Sequence, residues 1–547
     1  MQEQSALTAR FKLPLIKNGK TLVSGIDPEN RAGKIVDAFP LKDRTLYLCP
    51  SPVYGFGLPR LLSRIKDEAP LSAVLCVESD YELFELSLNY ISPSILENKK
   101  FHMAHVFDSS QLTSLVRSVW GARAFRRVET IRLTGGWQLT PLLYDSLRTD
   151  LEREIANDWS NALTLYKLGR LYIRNAMRNL EYLSRFFFID DLSFGDDNIL
   201  VLGAGPSLDE ILDMLKMNSS MSVCNPQERP FKIICVDTCL GALKDRNIIP
   251  DLAVILESQH WNLRDFIGCQ GWNIPFAADL SALPSSLDLL AGTGYFFMTP
   301  WTELKVFGRL REKELLPAEI PPLGSVGLTA AEIARRLSRG IILCAGIDFS
   351  FTADKYHARG TPGHKNNLNL NTRLRSTANT AAFGEFSFSA ISKTGLPVYS
   401  SPIMRNYNNL FKQEFGGDSR IYDIEGSGLS LGVKTLSMRE AAALLNSGKF
   451  SRRPAHAQSK GCKKEYNYFL ECEIRRLHEL RDILSGGRCL NGDRLSVLID
   501  ECDYLWAHFP DYSGGRTQDV SDISFLKRVR AELDPMIKLI EQTMKRI

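Results

Sequence analysis

The 547-residue sequence has no C-x-x-C pair among its 11 scattered cysteines, so a zinc cage of that kind is not indicated. Their odd number argues equally against a secreted disulfide framework. No apolar run approaches the roughly 18 residues of a membrane span. The opening MQEQSALTARFKLPLIKNGK has no apolar stretch ending in a small-residue cleavage site. A reducing, cytoplasmic setting without a membrane is therefore expected. An excess of one charge is also missing: 67 Lys and Arg face 63 Asp and Glu, a net charge of +4, which gives little reason to expect nucleic-acid binding. Internal repeats and low-complexity tracts are absent, which excludes a solenoid.

What is present is an ordinary globular composition, 44% hydrophobic and 24% charged, in a chain too long for one core. Residues 1–146 read as a Rossmann-like α/β domain, with strands at RTLYLCP, AVLCVE and VETIRLTGG. Gly55, Gly57 and Glu78 could hold a nucleotide or methyl donor, but their incomplete spacing favours a structural turn. Residues 147–189 form a helical connector in which Trp159, Leu163 and Tyr166 recur at core spacing. In 190–435 the order strand, turn, helix repeats, and runs such as ILVLGA, KIICV, LAVIL and IILCAG are apolar throughout, as strands covered on both faces must be. The basic run at 448–461 reads as a linker, and 436–547 as a helical bundle. The fold class is thus α/β: a Rossmann-like amino-terminal domain, a larger central α/β domain and carboxyl-terminal helices.

Gly203-Ala204-Gly205-Pro206-Ser207 directly follows an apolar strand and opens the helix DEILDMLKM. Glycine permits close backbone approach, and first-turn N–H groups favour an anion, so a phosphate is expected there, with the Ser207 hydroxyl as a further donor. Asp237 and Glu257 end the strands IICV and LAVIL, where a carboxylate accepts from a ribose or base, holds a cation, or caps a helix. Gly324-Ser325-Val326-Gly327 opens a second helix at the same crevice. The strand IILCAG delivers Asp348, followed by Tyr356 and His357, and then by His364 and Lys365. Either histidine suits a base near neutral pH.

Together GAGPSL, the acid after IICV, NIIPDLAVILE, GSVGLTAAEIA and GIDFSFTADKYHARG resemble the motility associated factor (Maf) family, flagellin glycosyltransferases with a sialyltransferase-like core. The segment GIDPENRAGKIVDAF is similar to that family's amino-terminal region. The resemblance implies cytoplasmic transfer of a nonulosonic, sialic-acid-like sugar from a CMP-activated donor to Ser or Thr of flagellin, by an inverting enzyme. It implies no required cofactor, with magnesium optional, and no bound metal. By the same resemblance Gly203, Gly205, Pro206, Ser207, Gly324 and Ser325 hold the nucleotide phosphate. Asp237 and Glu257 stand where such sialyltransferases carry nucleotide-contacting asparagines. Tyr356 matches the second of two phosphate-stabilising tyrosines, and the first is Ser350 here. His357, Tyr356 and Asp348 form the expected catalytic group, with His364 an alternative base. Two rival readings are an ATP- and magnesium-dependent hydroxymethylpterin diphosphokinase, which shares the loop, and a non-catalytic flagellin scaffold.

Overall fold

The computed structural model describes residues 13–547 except 122, 218–224, 375, 378–381, 385, 448–462, 487–491, 511 and 513–519. The expected linker at 448–461 lies outside the described residues. The chain divides into two compact units, one of residues 1–167 with 510–516, the other of 168–509 with 517–547.

The first unit begins with an antiparallel pair, β1 (Leu15–Lys17) and β2 (Lys20–Val23). A four-stranded parallel sheet follows, built from β3 (Thr45–Pro50), β4 (Ala73–Glu78), β5 (Phe101–His105) and β6 (Arg127–Thr130) in the order β5-β4-β3-β6. Every residue of β3 and β4 is buried, because helices cover both faces of a parallel sheet and alternation is then lost. Leu46, Leu48 and Val77 face one apolar cluster, and Tyr47, Cys49 and Cys76 face the other.

A 43-residue helix, Pro141–Leu183, carries the chain from one unit into the next. Its buried positions include Leu151, Ile155, Leu165, Ile173, Met177 and Leu180, a stripe that drifts around the helix at its true period of about 3.6 residues. Leu163 and Tyr166, expected in the core, each remain 56% exposed.

The second unit is built on a nine-stranded sheet, ordered β17-β16-β13-β8-β9-β10-β11-β12-β7, in which every pairing is parallel. Its strands are β7 (Phe187–Phe188), β8 (Asn198–Leu202), β9 (Phe231–Val236), β10 (Leu252–Ile255), β11 (Phe276–Asp279), β12 (Gly294–Phe297), β13 (Ile342–Ala345), β16 (Ile421–Ile424) and β17 (Lys434–Leu436). Between β13 and β16 an antiparallel hairpin, β14 (Phe388–Ile391) and β15 (Pro397–Ser400), leads into the helix Pro402–Phe415. Asn175 and Asn179, one turn apart on the long helix, donate to the carbonyls of Ser258, Ser281, Leu280 and Ala282. Their amides thereby satisfy loop carbonyls that would otherwise be buried without partners.

Helices Lys463–Leu484, Gly492–Glu501 and Ile523–Met544 complete this unit. The fully buried Glu473 is held by Arg309 in a bidentate pair at 2.7 and 2.8 Å and by Arg476 at 2.6 Å. A carboxylate in that setting is tolerated only when paired.

Candidate functional site

The sheet of the second unit changes direction at β8. Successive strands from β9 to β12 are added on one side, and β13, β16 and β17 on the other. A parallel sheet wound this way opens a crevice beyond the carboxyl ends of the strands at the reversal, which are β8 and β13. The GAGPS loop follows β8, and Asp348, Tyr356 and His357 follow β13, whereas Asp237 and Glu257 follow β9 and β10 and Ser325 precedes the helix Val326–Leu337.

The two turns are packed backbone to backbone. The Gly203 amide donates to the Ala345 carbonyl and the Gly205 amide to the Gly346 carbonyl, both at 2.8 Å. A Cβ on Gly203 would stand 2.4 Å from the Gly346 oxygen, and Gly346 itself has φ +66°. Only glycine permits that approach. The Ser207 amide donates to Asp348 Oδ2 at 2.8 Å, and its hydroxyl to Asp348 Oδ1 at 2.5 Å. Asp348 is 2% exposed. Burial pushes its carboxyl above the usual range, against the opposing pull of Lys393 and of Ser207.

Beside these turns lies a cavity of about 350 Å³. Of the residues named from sequence, Gly203, Gly205, Ser325, Asp348, Tyr356 and His357 line it. Pro206, Ser207, Asp237, Glu257, Gly324 and His364 do not. The loop amides of Gly203, Gly205 and Ser207 are spent on internal bonds. Open donors lie instead at the helix Val326–Leu337. No side chain caps it, and among the described residues the amides of Val326, Gly327 and Leu328 have no hydrogen-bond partner while Thr329 already bonds the Ser325 carbonyl. Ser325, Val326 and Gly327 line the cavity, so a helix terminus with its partial positive charge faces it.

Asp237 is 3% exposed and does not line the cavity. Its carboxylate accepts from the Thr238 amide at 2.8 Å and from Asn262 Nδ2 at 2.7 Å, and Asn262 and Thr238 also reach Asp265. Burial raises both acids, and the Asp237 charge raises Asp265 further. Thr238, next in sequence, is the residue that lines the cavity. Glu257 is exposed and accepts the Gln259 amide at 2.9 Å.

Tyr356 and His357 are held by their neighbours. Lys355 and Arg359 on either side both bond Asp209, at 3.0 and 3.2 Å, and the Arg359 amide joins them at 3.0 Å. Arg246 completes the set at 3.1 Å. Burial would raise Asp209, but Lys355 and Arg359 outweigh it and hold the carboxyl below the usual range. The Ala358 amide donates to the Ala204 carbonyl, tying the segment to the GAGPS loop. Burial lowers the His357 imidazole and raises the Tyr356 phenol. At neutral pH the first is therefore a neutral base and the second a protonated donor. His364 Nδ1 is buried without a partner, but that ring lies outside the cavity lining.

Sequence reasoning missed Tyr407. It lines the cavity from the helix Pro402–Phe415, and its ring stands 3.0 Å from where a Cβ on Gly324 would be. Burial, aided by the Glu257 charge, keeps its phenol protonated. The available signal was Ser401-Pro402 after a short strand, a helix start with Ser as N-cap and Pro at the first helical position.

Comparison with solved structures pairs the whole chain with 88% of the Maf glycosyltransferase from Magnetospirillum magneticum AMB-1, at TM-score 0.52 and 14% identity. The chain shares the fold of that Maf protein. Within that Maf-like fold, residues 174–354 match the family model 6-hydroxymethylpterin diphosphokinase MptE-like. An uncharacterized protein of Treponema pallidum (strain Nichols) is 28% identical over 537 residues, spanning 93% of this chain and 90% of the relative. Among the described residues no helix is long and apolar enough to cross a membrane.

Proposed function

We propose that the protein is an inverting glycosyltransferase that moves a nonulosonic sugar from a CMP-linked donor to a Ser or Thr hydroxyl of flagellin. The observation that carries this reading is the convergence on one cavity of an uncapped helix terminus, two protonated tyrosines and a neutral histidine. The Maf-like fold supports it.

In this reading Ser325 and the amides of Val326 and Gly327 receive the donor phosphate, and Tyr356 and Tyr407 donate to it as the glycosidic C–O bond breaks and CMP leaves. The acceptor oxygen bonds the anomeric carbon from the opposite face, and its proton passes to His357. Gly203 and Gly205 shape the wall, and Asp348 holds the loop through Ser207. The chemistry requires no cofactor.

The family match at 174–354 favours one second reading, a pterin diphosphokinase using ATP and magnesium. Its carboxylates are poorly placed for a protein-held metal: Asp348 and Asp237 are committed to internal hydrogen bonds. Among the described residues no group of three His, Cys, Asp or Glu side chains is gathered to hold an ion.

Thermal shift with CMP against ATP plus magnesium separates the two, since a ligand of the native state raises Tm. Intact-mass measurement of flagellin from cells with and without the protein then tests transfer. Stabilisation by CMP and a sugar-sized mass difference are expected. An unchanged flagellin mass would favour a scaffold and overturn the enzyme.

A further inference from the structure

The first unit contains a separate cavity of about 310 Å³, lined entirely by its own residues. It lies at the reversal of the four-stranded sheet. Going outward from β3, the order is β4 and β5 on one side and β6 on the other, so the crevice opens beyond the carboxyl ends of β3 and β6. Phe56, from the turn after β3, and residues 132–135, from the turn after β6, both line it.

Two arginines enter from different elements. Pro28, Arg31 and Ile35 face the cavity from the helix Pro28–Ala38, at steps of three and four residues that put them on one stripe. Arg132 enters from the turn after β6 and lies over the Trp137 ring at 4.1 Å, a stack that fixes the plane of its guanidinium. Among the described residues Arg31 has no ion-pair partner. Arg132 has only an exposed contact to Asp145 at 3.4 Å. No Asp or Glu lines the cavity. Two guanidiniums without a facing acid suit an oxyanion, which they bind with paired donors.

Glu78 and Gly57, for which the sequence favours a structural turn over a ligand site, are engaged within the unit. Glu78 is 1% exposed and bonded to the Ser79 and Asp80 amides and to the Tyr144 hydroxyl. A Cβ on Gly57 would stand 2.9 Å from Ala32 Cβ, so that glycine serves helix packing.

We infer that this cavity binds a mononucleotide, its phosphate on Arg31 and Arg132 and its base against the Trp137 side of the crevice. The volume suits a ligand of that size, at the lower end of small-molecule pockets. Phe56 is 5% exposed and Arg132 lies over Trp137, so a planar ring meets the Arg132–Trp137 stack rather than a Phe56 face. A free phosphate would use the arginines and leave that stacking face idle.

The test is equilibrium dialysis of the full chain with each of the four ribonucleoside 5′-monophosphates, repeated with Arg31→Gln plus Arg132→Gln. Both side chains are exposed, so the double variant should fold; each single variant is run alongside, with circular dichroism as the check. For at least one nucleotide the bound stoichiometry should fall by one per chain in the double variant, and affinity by about tenfold in each single variant. Stoichiometries unchanged for all four nucleotides would overturn the site. Equal displacement by inorganic phosphate and by the nucleotide would overturn its assignment to a nucleotide. Failure of sugar transfer leaves this result unaffected, because Arg31 and Arg132 lie outside the central cavity.

Discussion

The hydroxyl of Ser207 donates to Oδ1 of Asp348 at 2.5 Å while the Ser207 amide donates to Oδ2. One buried carboxylate thus closes the turn after β8 onto the turn after β13. Ser207 acts as a latch, with its hydroxyl spent on Asp348. Ser207→Ala should therefore destabilise the protein by about 1–3 kcal/mol, the range for a lost hydrogen bond to a charged group. CMP affinity should remain within about twofold. Chemical denaturation and isothermal titration check the two parts separately; a large loss of CMP affinity in a stable variant would contradict the latch.

Asp209, which does not line the central cavity, holds the segment of Tyr356 and His357 through Lys355 and Arg359 on either side. Asp209→Asn keeps the shape but removes the charge. It should lower kcat by about tenfold or more, since small misplacements of reacting groups carry such costs, with little change in CMP affinity. Steady-state kinetics with a CMP-linked donor measures the split.

His357 has a lowered pKa because of burial. It should therefore be a competent base throughout neutral pH, with the acid limb of the rate profile below the ordinary histidine value of about 6.5. His357→Ala should remove that limb together with most of the turnover while preserving CMP binding. Linkage has the matching sign: below about 6.5 the unfolded chain takes up the proton more readily, so this group lowers stability as pH falls toward its folded value, and has no effect above.

Tyr356 and Tyr407 face one cavity as protonated phenols. Replacing either with Phe should lower kcat by about tenfold to a hundredfold, and the loss should be smaller for a donor with a better leaving group. Equal losses for good and poor leaving groups would remove the tyrosines from phosphate stabilisation.

Asp265 and Asp237 share Asn262 and Thr238, and burial raises both. A raised folded pKa contributes stability that is complete below the ordinary value of about 4 and is lost as pH rises through the folded value. Asp265→Asn should consequently stabilise the protein at neutral and alkaline pH by on the order of 1 kcal/mol or more, because a tenfold change in proton affinity corresponds to about 1.4 kcal/mol. The gain should vanish in acid. Denaturation midpoints between pH 4 and pH 8 give the comparison.

The α/β architecture was legible in the sequence because fully covered parallel strands must be apolar throughout, as IICV and IILCA are. The turns at Gly203 and Gly346 follow such runs directly, so their place at a crevice was local information. So was the start of the helix at Ser325, although only the structure shows that its side chain makes no cap bond. What only the tertiary structure decided was where each polar group spends its hydrogen bonds. The Ser207 hydroxyl and the Gly205 amide are donors in the sequence, yet each is consumed by a turn more than a hundred residues away. Tyr407 enters the cavity from a helix beyond an intervening hairpin, and Asp209 gathers three basic residues from distant positions. Backbone periodicity is a near-neighbour property, whereas hydrogen-bond competition and burial depend on contacts that exist only once the sheet has assembled.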